Sequence, residues 1–408
     1  MHSALLVLLF GLVVDLALLA KAGLRRLRVP PLLAYLALGV LLRALDARFG
    51  LLGDHGRDVL GFLASLGVIA LLFRVGLESD VPGLLRHLRS ASLIWCGNIV
   101  LSAAAGYVAA RYLLGFELVP SLVIATALTA TSVGIPAQVW READALGTDN
   151  GERFLDVAEL DDMSGVVLMA LLFAVLPVLR GGQAGSLGPA LAREAGLFAA
   201  RLIPFAAGCV LFSRYLERRY TRLIRRFEPE PDPMLIVVGT GVIIAALAGL
   251  LGFSVAIGAF LAGLAFSRDP KRVKVDASFT PLYDLLTPFF FVGVGLAIEP
   301  GLLTDALEPG AVLLAAAVAG KLAGTVGPAL ICAGWLRATA LGVSMIPRAE
   351  ITMLIMHRAR AMGSDVAPPA AYAGMVAVSA VTCLLAPPIL IRLLRTSEPE
   401  DGRGGKES

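Results

Sequence analysis

A chain of 408 residues that is 57% hydrophobic and only 16% charged, with a mean hydropathy of +0.80, is unlike soluble domains, which are about 25% charged. Repeated apolar runs of about 20 residues place it among multi-span helical membrane proteins. A net charge of +3 gives no reason to expect a nucleic-acid partner, and four histidines without a nucleophile–base motif argue against a hydrolytic enzyme.

Thirteen candidate spans follow one another along the chain. The first, 3–22, begins after Met1-His2-Ser3, which has neither a basic n-region nor a small-residue cleavage site, so it reads as a retained span. Spans at 30–46, 57–77 and 91–114 come next, and the third ends Leu72-Phe73-Arg74-Val75-Gly76-Leu77-Glu78. Span five, 118–140, contains Thr129-Ala130-Thr131-Ser132-Val133-Gly134-Ile135-Pro136. Pro136 has no amide hydrogen and removes the bond to the Ser132 carbonyl, while Gly134 tolerates an irregular backbone. Freed carbonyls and hydroxyls in mid-membrane are tolerated where they are buried or line a wet cavity. An unwound ion site built from Thr131, Ser132, Gly134 and Pro136 is therefore expected.

Span six, 153–179, opens with Ala158-Glu159-Leu160-Asp161-Asp162. Carboxylates inside a membrane span are costly and mark function. Neighbouring helical residues point about 100° apart, so Asp161 and Asp162 cannot do the same job from one face. Asp162 shares a stripe with Glu159, Asp156 and Glu152, which reads as an acidic funnel attracting cations or as a favourable acidic first turn. Spans at 191–214, 234–250, 252–267 and 281–298 lead to span eleven, 309–334, whose lone cation is Lys321. Buried about twelve residues deep, Lys321 is too far in to snorkel and is the expected partner of Asp161. Span twelve, 338–360, carries Val343-Ser344-Met345-Ile346-Pro347, followed by Arg348 and Glu350. Pro347 frees the Val343 carbonyl, and Arg348 and Glu350 are expected to support the break by pairing with each other or with Glu159. Span thirteen, 367–394, precedes a polar tail expected to be disordered.

Two echoes join the halves. The Phe289-to-Leu296 end of span ten repeats the end of span three, and both continue into Pro-Gly-Leu-Leu, at Pro82 and at Pro300. The proline segments of spans five and twelve form the second pair. Partners lie seven spans apart, so the copies are inverted, a pattern that points to a secondary transporter. Basic residues concentrate in the odd-numbered connections, at Lys21 to Arg28, Arg214 to Arg226 and Arg268 to Lys274. That bias puts the N-terminus outside and the C-terminus in the cytoplasm. Cys96, Cys209, Cys332 and Cys383, far apart in apolar runs, read as small buried hydrophobes.

At TATSVGIPAQ, AELDD, Lys321, MIPRAE, FFFVGVGL and LLFRVGLESD the chain resembles the monovalent cation:proton antiporters of the NapA/KefC branch. The resemblance implies an all-α inner-membrane homodimer of about 13 spans, with inverted repeats and two crossed broken helices. It implies scaffold and dimerisation helices at 1–90 and 231–305, a core at 91–180 and 306–395, a linker helix at 181–230 and a disordered cytoplasmic tail at 396–408. It also implies a core that rises and falls as an elevator. Carried onto these residues, Asp162 binds a monovalent cation and exchanges it for protons, while Asp161 pairs with Lys321 in electrogenic exchange. The chain departs from the family pattern at Glu159, usually apolar, and in Pro-Arg-Ala-Glu, where Pro-Arg-Gly-Glu is common. Nucleotide gating, found in potassium members with an added domain, is not expected within this chain, and neither is a cofactor. Sodium, potassium and lithium stay open as cargo. Sodium-coupled symport of an organic anion and a non-transporting sensor are the rival readings.

Overall fold

The computed structural model describes residues 2–27, 30–78, 81–181, 187–216, 219, 223, 233–253, 255–267, 274–298, 306–331 and 333–397. The polar tail after Ser397, the Pro300-Gly301-Leu302-Leu303 echo, Cys332 and most of the basic connections lie outside the described residues.

The described residues form an all-helical chain, and every predicted span has a helical counterpart. These are α1 His2–Leu27, α2 Pro31–Phe49, α3 Gly53–Glu78 and α4 Val81–Val108, the last extended by a π-helical turn at Ala109–Leu113. Span five is split into α5 Leu118–Thr129 and α6 Gly134–Glu142; α7 Asp149–Arg180 and α8 Leu187–Leu211 follow. Next come α9 Pro233–Leu250, α10 Val255–Phe266, α11 Lys274–Leu296 and α12 Leu307–Ala329. Span twelve is likewise split, into α13 Trp335–Ser344 and α14 Glu350–Met362, before α15 Pro369–Ser397. Nine of the helices are long and apolar enough to cross a membrane among the described residues. The remaining spans are α2, which carries Arg43, Asp46 and Arg48, the shorter apolar α9 and α10, and the interrupted pair α13–α14.

The chain divides into two compact units, residues 1–81 with 166–300 and residues 82–165 with 301–408. In the first unit, α10 and α11 both pack on α3, and α11 also packs on α2. The helices meet backbone on backbone. A Cβ at Gly263 would collide with the Phe73 carbonyl oxygen, and one at Gly295 would collide with that of Leu36. Small residues let membrane helices approach this closely, which replaces the hydrophobic drive that lipid does not provide.

The second unit packs α12, α13 and α15 together and sets α14 against α5. Its core includes Trp140 and Phe154, whose rings stack with centroids 6.0 Å apart. The Trp140 indole N–H donates to Ser344 Oγ at 2.8 Å, which closes one end of α13 against α6. Cys383 is buried in this unit, but Cys96 is exposed, so it is not the buried hydrophobe expected from its apolar run.

Candidate ion-binding site

Both broken helices lie in the second unit and cross at their breaks. The first break covers residues 130–133, where Ala130 is extended at φ −66°, ψ 149°. The second covers residues 345–349. Strand-like pairing joins them: the Ser132 N–H donates to the Pro347 carbonyl at 2.8 Å. Thr131 Oγ1 reaches the Met345 carbonyl at 3.4 Å, and Thr352 Oγ1 donates to Ala127 O at 2.9 Å.

The first break takes in Ser132, the residue whose carbonyl Pro136 leaves without a helical donor, but it starts earlier than the proline alone suggests, at Ala130. It precedes Gly134, and Pro136 sits in the first turn of α6, where a missing N–H has no intrahelical partner to lose. Gly134 is not needed for an irregular backbone either: it is helical, and nothing lies within 4 Å of where its Cβ would be. What holds the chain open is a pair of buried cations at the C-terminal end of α5. Lys321 Nζ donates to the Thr129 carbonyl at 2.6 Å, and the Arg348 guanidinium donates to the Ala130 carbonyl. Unsatisfied carbonyls at a helix C-terminus carry partial negative charge and favour such partners.

Arg348 was expected to pair with Glu350 or Glu159. It donates instead to the backbone of Ala130 and, at 3.5 Å, to that of Ala317. The physical reason is that unwound backbone buried in a membrane must find donors, and a guanidinium provides several in a fixed fork. The backbone of Arg348 is itself held by α15. Its N–H donates to Thr382 Oγ1 at 3.1 Å, and its carbonyl accepts from Ser379 Oγ and, at 3.2 Å, from Cys383 Sγ. Glu350 opens α14 as the acidic residue of its first turn.

Asp161 projects from α7 into this crossing. It is 1% exposed, and Lys321 and Arg348 are 0% exposed. Lys321 Nζ lies 2.7 Å from Asp161 Oδ2, and Thr131 Oγ1 donates to the same oxygen at 2.5 Å. Asp161 Oδ1 accepts from Asn98 Nδ2 at 2.8 Å. Three donors thus surround one carboxylate. Asp162 follows on the same helix but is half-buried, as are Glu159 and Asp156, while Glu152 is exposed. The stripe therefore runs from solvent-accessible Glu152 inward, and the acidic first turn of α7 is made by Asp149 and Glu152. Ser132, 1% exposed, has a buried hydroxyl with no protein partner. That orphaned oxygen in a field of carboxylates and carbonyls suits a hard cation.

Sequence reasoning missed Asn98, Thr325 and the α15 hydroxyls of Ser379 and Thr382. The only signal was their polarity within apolar runs, and Thr325 lies one turn beyond Lys321 on α12.

Residues 14–396 match the family profile described as sodium/hydrogen exchanger, transmembrane. The chain is 27% identical over 351 residues to a high-affinity sodium/proton antiporter of Synechocystis sp., covering 84% of this chain and 73% of that one. It is 27% identical over 335 residues to a sodium/proton–potassium antiporter of Bacillus cereus, covering 82% and 83%. A solved structure of a sodium proton antiporter from Methanocaldococcus jannaschii at pH 8 superposes with a TM-score of 0.71, at 14% identity over 97% of this chain and 99% of that one. At that identity the likeness speaks for the fold.

Proposed function

The chain belongs to the sodium/hydrogen exchanger family, and from that premise we propose that it exchanges sodium ions for protons as a secondary antiporter. One observation carries the reading at the site: two adjacent carboxylates at a crossing of broken helices have unlike surroundings. Asp161 is enclosed by Lys321, Thr131 and Asn98, whereas Asp162 is half-buried. Asp162 is then the carboxylate that a cation and a proton take in turn. Ser132 and Thr131 oxygens complete the cation's shell, and Glu159 and Asp156 raise the local cation concentration on the way in.

Residues 91–180 and 306–395 form the moving body in this proposal, residues 1–90 and 231–305 form the frame through which the protein dimerises in the cell's inner membrane, and residues 181–230 link them. The grouping of Asp161, Lys321 and Arg348 in one compact unit supports that division. The N-terminus lies outside and the C-terminus in the cytoplasm. Exchange is electrogenic, two protons per sodium, with the second proton taken up when the Lys321–Asp161 bridge opens. Potassium is a second cargo worth testing, because the Bacillus cereus relative is named for both ions.

The test is proton flux in vesicles holding the purified protein, with sodium, lithium or potassium added across a pH gradient. Cation-dependent flux that disappears in Asp162→Asn is the expected result. Undiminished flux in that variant overturns Asp162 as the ligand. No flux with any of the three ions turns the reading to organic-anion symport or to a non-transporting role.

A further inference from the structure

Asn98 lies within α4 in the run Ile94-Trp95-Cys96-Gly97-Asn98-Ile99-Val100 and is 0% exposed. A buried amide in such a run is costly unless its donors and acceptor are used. Both ends are engaged. Its Nδ2 donates to Asp161 Oδ1 at 2.8 Å, and its Oδ1 accepts from Thr325 Oγ1 at 3.4 Å. The ionised Asp161 carboxylate, which only accepts, fixes which way round the amide sits. The preceding residue sets the distance. A Cβ at Gly97 would lie 2.6 Å from the Gly324 carbonyl oxygen, and one at Gly324 would lie 2.5 Å from that of Gly97. Glycine on both helices draws α4 onto α12 and seats Asn98 beside the Lys321–Asp161 pair.

The consequence concerns the division of labour between two neighbouring carboxylates. Lys321 and Thr131 engage only Oδ2 of Asp161. Oδ1 is a second acceptor, and without a donor it would be a ready cation ligand one residue from Asp162. Asn98 takes that oxygen. The geometry points to Asn98 as a positioning residue that holds Asp161 as the counter-ion of Lys321 and leaves cation binding to Asp162. This rests on the exchange reading above. The charged groups around Asp161 are Lys321 from α12, Arg348 from the second break and Asp162 on its own helix; from α4 and the first break it meets the neutral Asn98 and Thr131.

Asn98→Asp keeps the shape and reverses the chemistry, and Asn98→Ala removes the amide. With wild type beside them in vesicles, Asn98→Asp should exchange roughly tenfold more slowly than wild type near neutral pH, because two carboxylates then face each other. It should be worse than Asn98→Ala, and its rate relative to wild type should recover as pH falls, since a proton shared by the facing carboxyls restores a donor. A packing role predicts the opposite order and a loss independent of pH, because Asp fills the site and Ala leaves it empty. Either of those results overturns the proposal.

A double-mutant cycle is the second measurement. In an Asp161→Ala background, which leaves no acceptor for the amide, Asn98→Ala should change exchange and melting temperature by less than roughly twofold and a degree or so, because its effect runs through Asp161. Losses that combine independently in both readouts overturn it. Should Asn98→Asp not fold in detergent, Asn98→Ala and this cycle decide. Wild type without cation-dependent flux sinks the exchange reading, and the melting cycle then still tests the clamp by itself.

Discussion

The two compact units bury different chemistry. In residues 1–81 and 166–300 the buried polar side chains are Asp46, Thr240 and Thr287 among the described residues, whereas the other unit buries Asn98, Thr131, Asp161, Lys321, Thr325 and Arg348 among others. Of the first group, Asp46 closes a helix end by accepting the Leu52 N–H and the Arg57 guanidinium, and Thr240 bonds back to Ile236 in its own helix. Helices meet backbone on backbone in both units, but among the described residues only the second adds a buried network of charges and hydrogen bonds that satisfy one another, so it has more ways to fail and more chemistry to offer. Mutations should separate them by mechanism: steric damage in one, unpaired charge in the other.

The largest effect should come from Lys321→Ala. It leaves Asp161 ionised and buried without its cation and orphans the Thr129 carbonyl. Breaking a buried pair from one side costs about 3–5 kcal/mol. Thermal melting of the detergent-solubilised protein would show the loss, and Lys321→Met combined with Asp161→Asn should recover most of it by removing the charges together. Failure of the double variant to recover would mean that the pair is not what holds this unit. The same Lys321→Ala protein, if it still exchanges, should do so without net charge movement. Unchanged voltage dependence would sink the role of the bridge in coupling.

A smaller effect of the other kind is expected from Gly263→Ala. Its Cβ would run into the Phe73 carbonyl, and α10 would have to move off α3. Overpacking of this sort costs about 1–3 kcal/mol. The melting temperature should fall, while the pH profile of exchange by the protein that remains folded stays where it is. A shifted profile would contradict the division between a frame and a chemically active unit.

How far the sequence foretold this depended on whether a residue's partner was local. Asp161, Asp162 and Lys321 were conspicuous because ionisable groups in apolar runs are expensive, and the two proline segments were legible as matched interruptions. The full extent of the first break was not. Read locally, Pro136 opens the helix at Ser132, and the break does take in Ser132, but it begins two residues earlier, where Lys321 and Arg348 take the carbonyls of Thr129 and Ala130. Those donors come from α12 and the second break, far along the chain. Arg348 misled for the same reason: Glu350 is its neighbour in sequence, and the unwound backbone of the other broken helix is its partner in space. Asn98 was invisible because a neutral amide raises no alarm in a helical span, and its carboxylate partner is 63 positions away.

The smallest expected effect is the sharpest test of the contrast, because it compares two hydroxyls that are both buried and unpartnered. Ser132 Oγ and Thr287 Oγ1 are both buried without a protein partner, one in each unit. An orphaned buried hydroxyl is a liability, so replacing it with an apolar group of similar shape is close to neutral or stabilising, by about 1 kcal/mol. Thr287→Val should therefore leave melting unchanged or slightly raised and exchange unaffected. Ser132→Ala should likewise leave melting within about 1 kcal/mol of wild type. Its exchange should nonetheless weaken, through a higher cation concentration for half-maximal rate and with little change in maximal rate. That split follows if the Ser132 oxygen is left unpaired by the protein because the cation uses it. Equal indifference to both substitutions would make Ser132 as structurally idle as Thr287 and remove it from the ion's shell, leaving Asp162 and Thr131 to hold the cation.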